Sequence, residues 1–227
     1  MRLGLTTTSD RIRTLMPEVS RLGFDPVSLP CILVDAVPGG SEKLAAAVDD
    51  ADALVVTSAR TVAMLVPGGL PPLPIIAVGP ETAAAAEEAG GTVVWVGSNG
   101  VRHVADEAGH LLQGGRIILA GASNTAHESA TALEMAGSSV VSIELYTTVP
   151  IAPPHDAVDA VIFGSPTAVT GWLISRELSG LLLGAIGPTT AAALRGNGVE
   201  PDVVPDRPGF VNTIELLAAL RPERSTP

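Results

Sequence analysis

Short apolar runs alternate with alanine-rich stretches along this chain, and many of the runs are too continuous to be strands with one wet face. Ala53 to Thr57 (ALVVT) and Arg116 to Ala120 (RIILA) carry Val, Leu, Ile and Ala at successive positions. Parallel strands look like this when helices cover both faces of their sheet. The pattern predicts further strands at Arg2 to Thr6, Asp25 to Leu29, Ile75 to Val78, Thr92 to Val96, Ser139 to Ile143, Ala160 to Phe163, Leu183 to Ile186 and Asp202 to Val204. Between them it predicts helices such as Thr82 to Ala89, Val101 to Leu112, Glu128 to Ala136, Thr189 to Asn197 and Thr213 to Leu220. Gly23, Gly90, Gly137 and Gly198 fall where a helix should stop, as expected of left-handed caps that glycine adopts without steric cost. The class is α/β.

Two different blocks each occur twice. DADALVVTSARTV from Asp50 matches AVDAVIFGSPTAV from Ala157, and AVGPETAAAAEEAGGTVV from Ala77 matches AIGPTTAAALRGNGVEPDVV from Ala185. A weaker pair sets RLGLTTTS from Arg2 against RIILAGAS from Arg116. The order is A, B, A′, B′, which implies two similar lobes with a cleft between them as the default ligand site. Spacing alone leaves open whether A pairs with B or with B′. Pro30 to Pro38 and Glu144 to Pro154 are extended, β-branched and bounded by prolines, so they are candidate crossings between lobes. If they lie side by side as a two-stranded connector, the first lobe is A plus B′ and the second is inserted in it.

At 227 residues, 46% hydrophobic, 16% charged and 3% aromatic, the chain suits one large or two small domains with ample core. Its 24 acidic and 13 basic side chains give a net charge of -11, so nucleic acid and anionic membrane surfaces would be repelled. No apolar run approaches the ~18 to 20 residues of a membrane span, and MRLGLTTTSD has no signal-peptide core. A cytoplasmic protein is expected. The one cysteine, Cys31, has no internal partner and reads as a buried structural thiol. Lys43, the one lysine, follows Ser41 as a candidate helix cap and should face solvent, which leaves no Walker A lysine; G-x-G-x-x-G is also absent. His103, His110, His127 and His155 lack metal-binding spacing, so no metal is expected.

Four loops carry the candidate chemistry. Thr57-Ser58-Ala59-Arg60, Gly164-Ser165-Pro166-Thr167, Gly79-Pro80-Glu81-Thr82 and Gly187-Pro188-Thr189-Thr190 each follow a strand and open a helix. Free N–H groups and the positive dipole end of a helix start favour anions. Glycine lets the backbone approach a ligand and proline suits the first turn. Any one such loop is also plain capping chemistry, but both kinds recur, which points to carboxylate or phosphate cradles. Tyr146, the only tyrosine, lies in the second candidate crossing. Its phenol can donate a proton to a leaving group, or it can simply pack on a lobe. Trp95 and Trp172 read as core, while Arg11, Arg13, Arg60 and Arg207 are candidates for an acidic ligand or for solvated surface.

DALVVTSARTV, IIAVGPETAAAAEEAG, the G-x-x-V-x-x-x-x-x-Y-x-T-V-P run from Gly137 to Pro150, DAVIFGSPTAV and AIGPTTAAALRGNGVEPDVVPDRP together resemble the uroporphyrinogen-III synthase family over nearly the whole chain. The resemblance implies two flavodoxin-like lobes with parallel sheets, joined by a two-stranded connector. The first lobe would comprise residues 1–34 plus 150–227, with the second, 35–149, inserted in it. It further implies a monomeric lyase (a hydro-lyase) of tetrapyrrole and heme biosynthesis without metal or organic cofactor. Such an enzyme closes linear hydroxymethylbilane to uroporphyrinogen III, with loss of water and inversion of ring D through a spiro intermediate.

By the same resemblance, Tyr146 corresponds to the tyrosine proposed to assist loss of the hydroxyl. Ser58, Ser165, Thr189 and Thr190 correspond to positions lining the cleft. Thr8, Thr57, Arg60, Gly79, Thr82, Ser123, Pro166, Thr167 and Gly187 complete the expected substrate-binding set. Backbone N–H groups at helix starts would let a chain of charge -11 hold a substrate with eight carboxylates, and transient contact with the preceding deaminase is expected. Thr6-Thr7-Thr8-Ser9 stands where many members carry an arginine, and Ala120-Gly121-Ala122-Ser123-Asn124 stands where a basic loop is common. The alternative from another class is a catalytically silent, two-lobed binding or regulatory homologue, since fold does not fix function.

Overall fold

The computed structural model describes residues 1–97 and 101–220. Strands and helices alternate in the order β1 (Arg2–Leu5), α1 (Ser9–Arg21), β2 (Asp25–Ser28), β3 (Ile32–Ala36), α2 (Gly40–Ala47), β4 (Ala53–Val56), α3 (Ala59–Leu65), β5 (Ile75–Ala77), α4 (Pro80–Glu88) and β6 (Val93–Val96). The order continues with α5 (Val101–Leu112), β7 (Arg116–Ala122), α6 (Ser123–Met135), β8 (Ser139–Pro150), β9 (Ala160–Phe163), α7 (Pro166–Leu173), β10 (Leu182–Ala185), α8 (Pro188–Gly196) and α9 (Phe210–Ala219). The chain divides into two compact units, Met1–Val34 with the segment from Thr148 onward (unit 1), and Asp35–Thr147 (unit 2).

Unit 1 is built on a parallel sheet of order β10-β9-β1-β2. Every residue of β9 is buried, and alternate side chains serve opposite faces. Val161 and Phe163 join Trp172, Leu183 and Leu194 on one side, while Ala160 and Ile162 join Leu3, Leu5, Ile12 and Ile214 on the other. In α1 the buried positions are Ile12, Leu15 and Val19, the 3–4 spacing of a helix with one face on a sheet. The strand expected at Asp202 to Val204 is reduced to one parallel bridge between Val203 and Gly184. Pro201 and Pro205 flank it and have no N–H to extend the ladder.

Unit 2 holds a sheet of order β3-β8-β7-β4-β5-β6, parallel from β8 through to β6. Sorted by the sequence repeat, unit 1 reads β2-β1 (block A) then β9-β10 (block B′), and unit 2 reads β8-β7 (block A′) then β4-β5-β6 (block B). The spatial plan is one, but the chain enters it at different points, giving the two common doubly-wound orders. An equivalent anchor recurs in each. The Asp159 carboxylate accepts from the Arg2 N–H at 2.7 Å, and the Asp52 carboxylate accepts from the Arg116 N–H at 2.8 Å.

The predicted strand at Ser139 to Ile143 and the crossing that follows it, as far as Pro150, form one twelve-residue strand, β8. β3 lies beside it. Val37 N–H donates to Leu145 O and Ile151 N–H to Cys31 O, both at 2.9 Å, so the pair runs antiparallel. Gly23, Gly90, Gly137 and Gly198 have φ of 80°, 82°, 94° and 79°, as their places after helices predict. Ser41 is not a cap. Gly39, with φ 79°, precedes α2, and the helix begins at Gly40, where a Cβ would stand 2.8 Å from Leu145 Cδ2. Lys43 is exposed. Among the described residues no helix is long and apolar enough to cross a membrane.

Candidate active site

Unit 2 gathers four hydroxyl groups at the carboxyl end of its central strands. After β4, Thr57 and Ser58 turn the chain into α3. Ser58 is extended (φ −163°, ψ 158°), and its Oγ accepts from the Thr61 N–H at 3.1 Å, a helix N-cap. Thr61 Oγ1 lies 3.0 Å from Ser58 Oγ and 3.4 Å from Thr57 Oγ1. Thr57 Oγ1 donates to the Ala120 carbonyl at 3.2 Å. The Tyr146 phenol completes the set, 2.9 Å from Ser58 Oγ.

Tyr146 reaches Ser58 past the end of β7, which separates β8 from β4. Neighbouring strands are ~4.8 Å apart, so the reach needed is two spacings, about 10 Å, within the span of a phenol and a serine together. β7 leaves room because it ends in Gly121 and Ala122. A Cβ on Gly121 would overlap Thr57 Oγ1. The pairing of β7 with β8 also slips here, since Gly121 stands opposite Glu144 and Ala122 opposite Tyr146, with Leu145 the extra residue. Such a slip reverses the face that later side chains take, and it re-aims Tyr146 while keeping it 7% exposed.

Apart from Arg60, which shares the start of α3 with Ser58, the remaining expected residues sit at other helix starts. Gly79 and Gly187 precede α4 and α8, with Pro80 and Pro188 in the first turn. Their φ values, −167° and −179°, are extended backbone open to any residue, so closeness and not conformation is what glycine offers there. A Cβ on Gly79 would meet no atom of the chain, whereas one on Gly187 would stand 3.2 Å from Pro208. Thr82 and Thr190 are buried in those helices and Thr189 is exposed. Ser165 caps α7 by accepting from the Ala168 N–H at 3.2 Å, with Pro166 exposed and Thr167 half-buried beyond it. Thr8 is the buried residue before α1, Arg60 is half-buried in the first turn of α3, and Ser123 opens α6.

Hydroxyl contacts therefore join Tyr146, Ser58 and Thr57, and the other expected residues lie outside that set. Thr61, wholly buried, is the member that sequence reasoning missed. Its signal stands in the run Thr57-Ser58-Ala59-Arg60-Thr61, three residues after a capping serine, where the capped N–H belongs.

Cys31 is fully buried and its thiol donates to Leu29 O at 3.3 Å. Burial pushes its pKa up to about 12, which leaves an inert thiol at neutral pH. Trp172 is fully buried, but Trp95 is only partly so, on β6 at the end of its sheet. Arg11 is half-buried, while Arg13 and Arg207 are exposed. The described residues contain no group of three or more His, Cys, Asp or Glu side chains placed to hold a metal ion.

The family model described as uroporphyrinogen-III synthase HemD matches residues 13–215, well over half of the chain and inclusive of the whole hydroxyl cluster. The chain belongs to the uroporphyrinogen-III synthase family. A mutant uroporphyrinogen III synthase from the extreme thermophile Thermus thermophilus is similar over 95% of this chain and 96% of its own, at 22% identity and a TM-score of 0.66. A uroporphyrinogen-III synthetase from Helicobacter pylori is similar over 97% of this chain and 100% of its own, at 19% identity and a TM-score of 0.68. At such identities the likeness is one of fold, and it agrees with the mixed α/β architecture and its parallel sheets. No curated protein matches the chain. Nothing in these comparisons favours a catalytically silent homologue over a uroporphyrinogen-III synthase.

Proposed function

We propose that this member of the family is a working hydro-lyase, which closes hydroxymethylbilane to uroporphyrinogen III, and that Tyr146 is its proton donor. The observation that carries the reading is the 2.9 Å approach of the Tyr146 phenol to Ser58 inside a cluster of hydroxyls. Tyr146 protonates the departing hydroxyl of the terminal CH₂OH group. The C–O bond breaks, water leaves, and the methylene cation is stabilised by its pyrrole nitrogen. The substituted carbon of ring D attacks that methylene to give the spiro intermediate. Reopening and reclosure invert ring D, and the proton then lost from the reclosed carbon restores the aromatic pyrrole and returns the Tyr146 phenolate to the phenol. The bilane also closes unaided to the unflipped isomer, so holding the chain in the less favoured geometry is the larger part of the work.

Backbone N–H groups at the starts of α4, α7 and α8 supply cradles for substrate carboxylates, assisted by the hydroxyls of Thr8, Thr82, Ser123, Ser165, Thr167, Thr189 and Thr190 and by Arg60. Fixed backbone dipoles serve a polyanion without a large count of cationic side chains, which suits a chain of charge -11. The protein acts in the cytoplasm as a monomer, with transient contact to the deaminase that supplies its unstable substrate.

The test is to generate hydroxymethylbilane in place with that deaminase, add this protein, oxidise the products and measure isomer III against isomer I. A dominant isomer III supports the synthase reading. Isomer I alone, with folded protein present, overturns it in favour of the silent homologue.

A further inference from the structure

The contacts around Tyr146 favour one direction, set by the protons and lone pairs available and by which of two distances is shorter. Thr57 Oγ1 spends its one proton on the Ala120 carbonyl, an acceptor that cannot donate back. Thr57 is therefore closed as a donor to Thr61. Ser58 Oγ has two lone pairs, and one of them takes the Thr61 N–H at 3.1 Å. The Thr61 hydroxyl faces two acceptors, Ser58 Oγ at 3.0 Å and Thr57 Oγ1 at 3.4 Å, and given to the nearer one its proton fills the second lone pair. With both lone pairs filled, Ser58 can only donate, and the partner left for its proton is the Tyr146 oxygen at 2.9 Å.

From this we infer that Thr61 is a positioning residue. By donating twice to Ser58, it makes the serine a donor to Tyr146 and leaves the phenol proton free for the leaving hydroxyl. The inference deepens the reading of Tyr146 as proton donor and rests on it. When the phenol gives up its proton, the Ser58 O–H already points at the oxygen that becomes negative, so no dipole has to turn during the reaction. Without the Thr61 hydroxyl, Ser58 regains an open lone pair, and the phenol can turn its own proton inward onto it. The repeat offers a contrast, since the position equivalent to Thr61 is Ala168, which presents an N–H to Ser165 but has no hydroxyl.

Tyr146 is the only tyrosine, so tyrosine spectroscopy on the whole protein reads this one phenol. The experiment compares the wild type with Thr61→Val, Thr61→Ser and Ser58→Ala by steady-state kinetics and by the Raman Fermi doublet of tyrosine, whose intensity ratio separates an accepting phenol from a donating one. In Thr61→Val, kcat should fall roughly threefold to tenfold at unchanged KM, with the doublet moving toward a donating phenol. Thr61→Ser should restore both. Ser58→Ala should lower kcat roughly tenfold to a hundredfold, because a donor to a developing charge is lost. An unchanged doublet in folded Thr61→Val overturns the inference, whatever the rates do. A shifted doublet with Tyr146→Phe still turning over at the wild-type rate supports the hydrogen-bond direction and overturns Tyr146 as the donor.

Discussion

Ser58 and Ser165 stand at the same point of two units built to one plan, and what surrounds them differs. Each follows the repeat-equivalent strand, each is extended at its N-cap, and each accepts from the N–H three residues on, at 3.1 and 3.2 Å. Around Ser165 the neighbours at the Thr57 and Thr61 positions are Gly164 and Ala168, which have no hydroxyl to offer. The stretch after β2 that corresponds to Glu144–Tyr146 is Pro30–Ile32, without a phenol. The close packing differs as well. In unit 2 Gly121 makes way for Thr57, whereas in unit 1 Gly164 makes way for Phe210, whose Cζ would stand 2.6 Å from an added Cβ, with Thr7 Cβ further off at 3.4 Å. The cap belongs to the shared fold, whereas the hydroxyls around it belong to unit 2 and point to chemistry there. Each unit is thus a control for the other.

The largest effect expected on that contrast comes from removing the phenol oxygen. Tyr146→Phe should lower the rate of isomer III formation roughly 100- to 10,000-fold, the usual worth of a positioned general acid, with little change in the urea midpoint. Next comes Gly121→Ala, whose methyl must displace the stiff Thr57 side chain. It should cost about 1–3 kcal/mol of stability by overpacking and lower kcat roughly tenfold, both read on the purified variant. Ser58→Ala and Ser165→Ala each lose an N-cap, and urea titration should show similar losses of about 1 kcal/mol for the two.

The smallest effect falls on unit 1, which holds the one thiol. Cys31 ionises near its ordinary value of about 8.5 when unfolded and only at about 12 when folded. Its folded pKa is raised, so the neutral thiol contributes full stability below the unfolded value, and that contribution is lost as pH rises toward the folded one. By pH 9 the loss should be about 0.8 kcal/mol, and in Cys31→Ala this component of the stability profile should vanish.

Much of this plan is legible in the residues. Continuous apolar runs mark the buried parallel strands, the four helix-ending glycines mark their stops, and the twice-repeated blocks announce two similar lobes. The boundaries of β8 are not legible, because Glu144 and two threonines break the apolar run while the backbone continues, and Leu145 inserts where alternation should carry on. Tyr146 stands out as the single tyrosine, but its meeting with Ser58 depends on that slip and on the room beside Gly121, neither of which has a local signature. Thr61 looks like an ordinary helix residue until the lone pairs of Ser58 are counted.

The most direct test of the division between the units is steady-state kinetics on Ser58→Ala and Ser165→Ala side by side, with isomer III formation as the readout. If unit 2 holds the proton donor and Ser165 serves substrate binding, Ser58→Ala lowers kcat at nearly constant KM, while Ser165→Ala raises KM at nearly constant kcat. Equal changes of the same parameter in both variants would contradict the division.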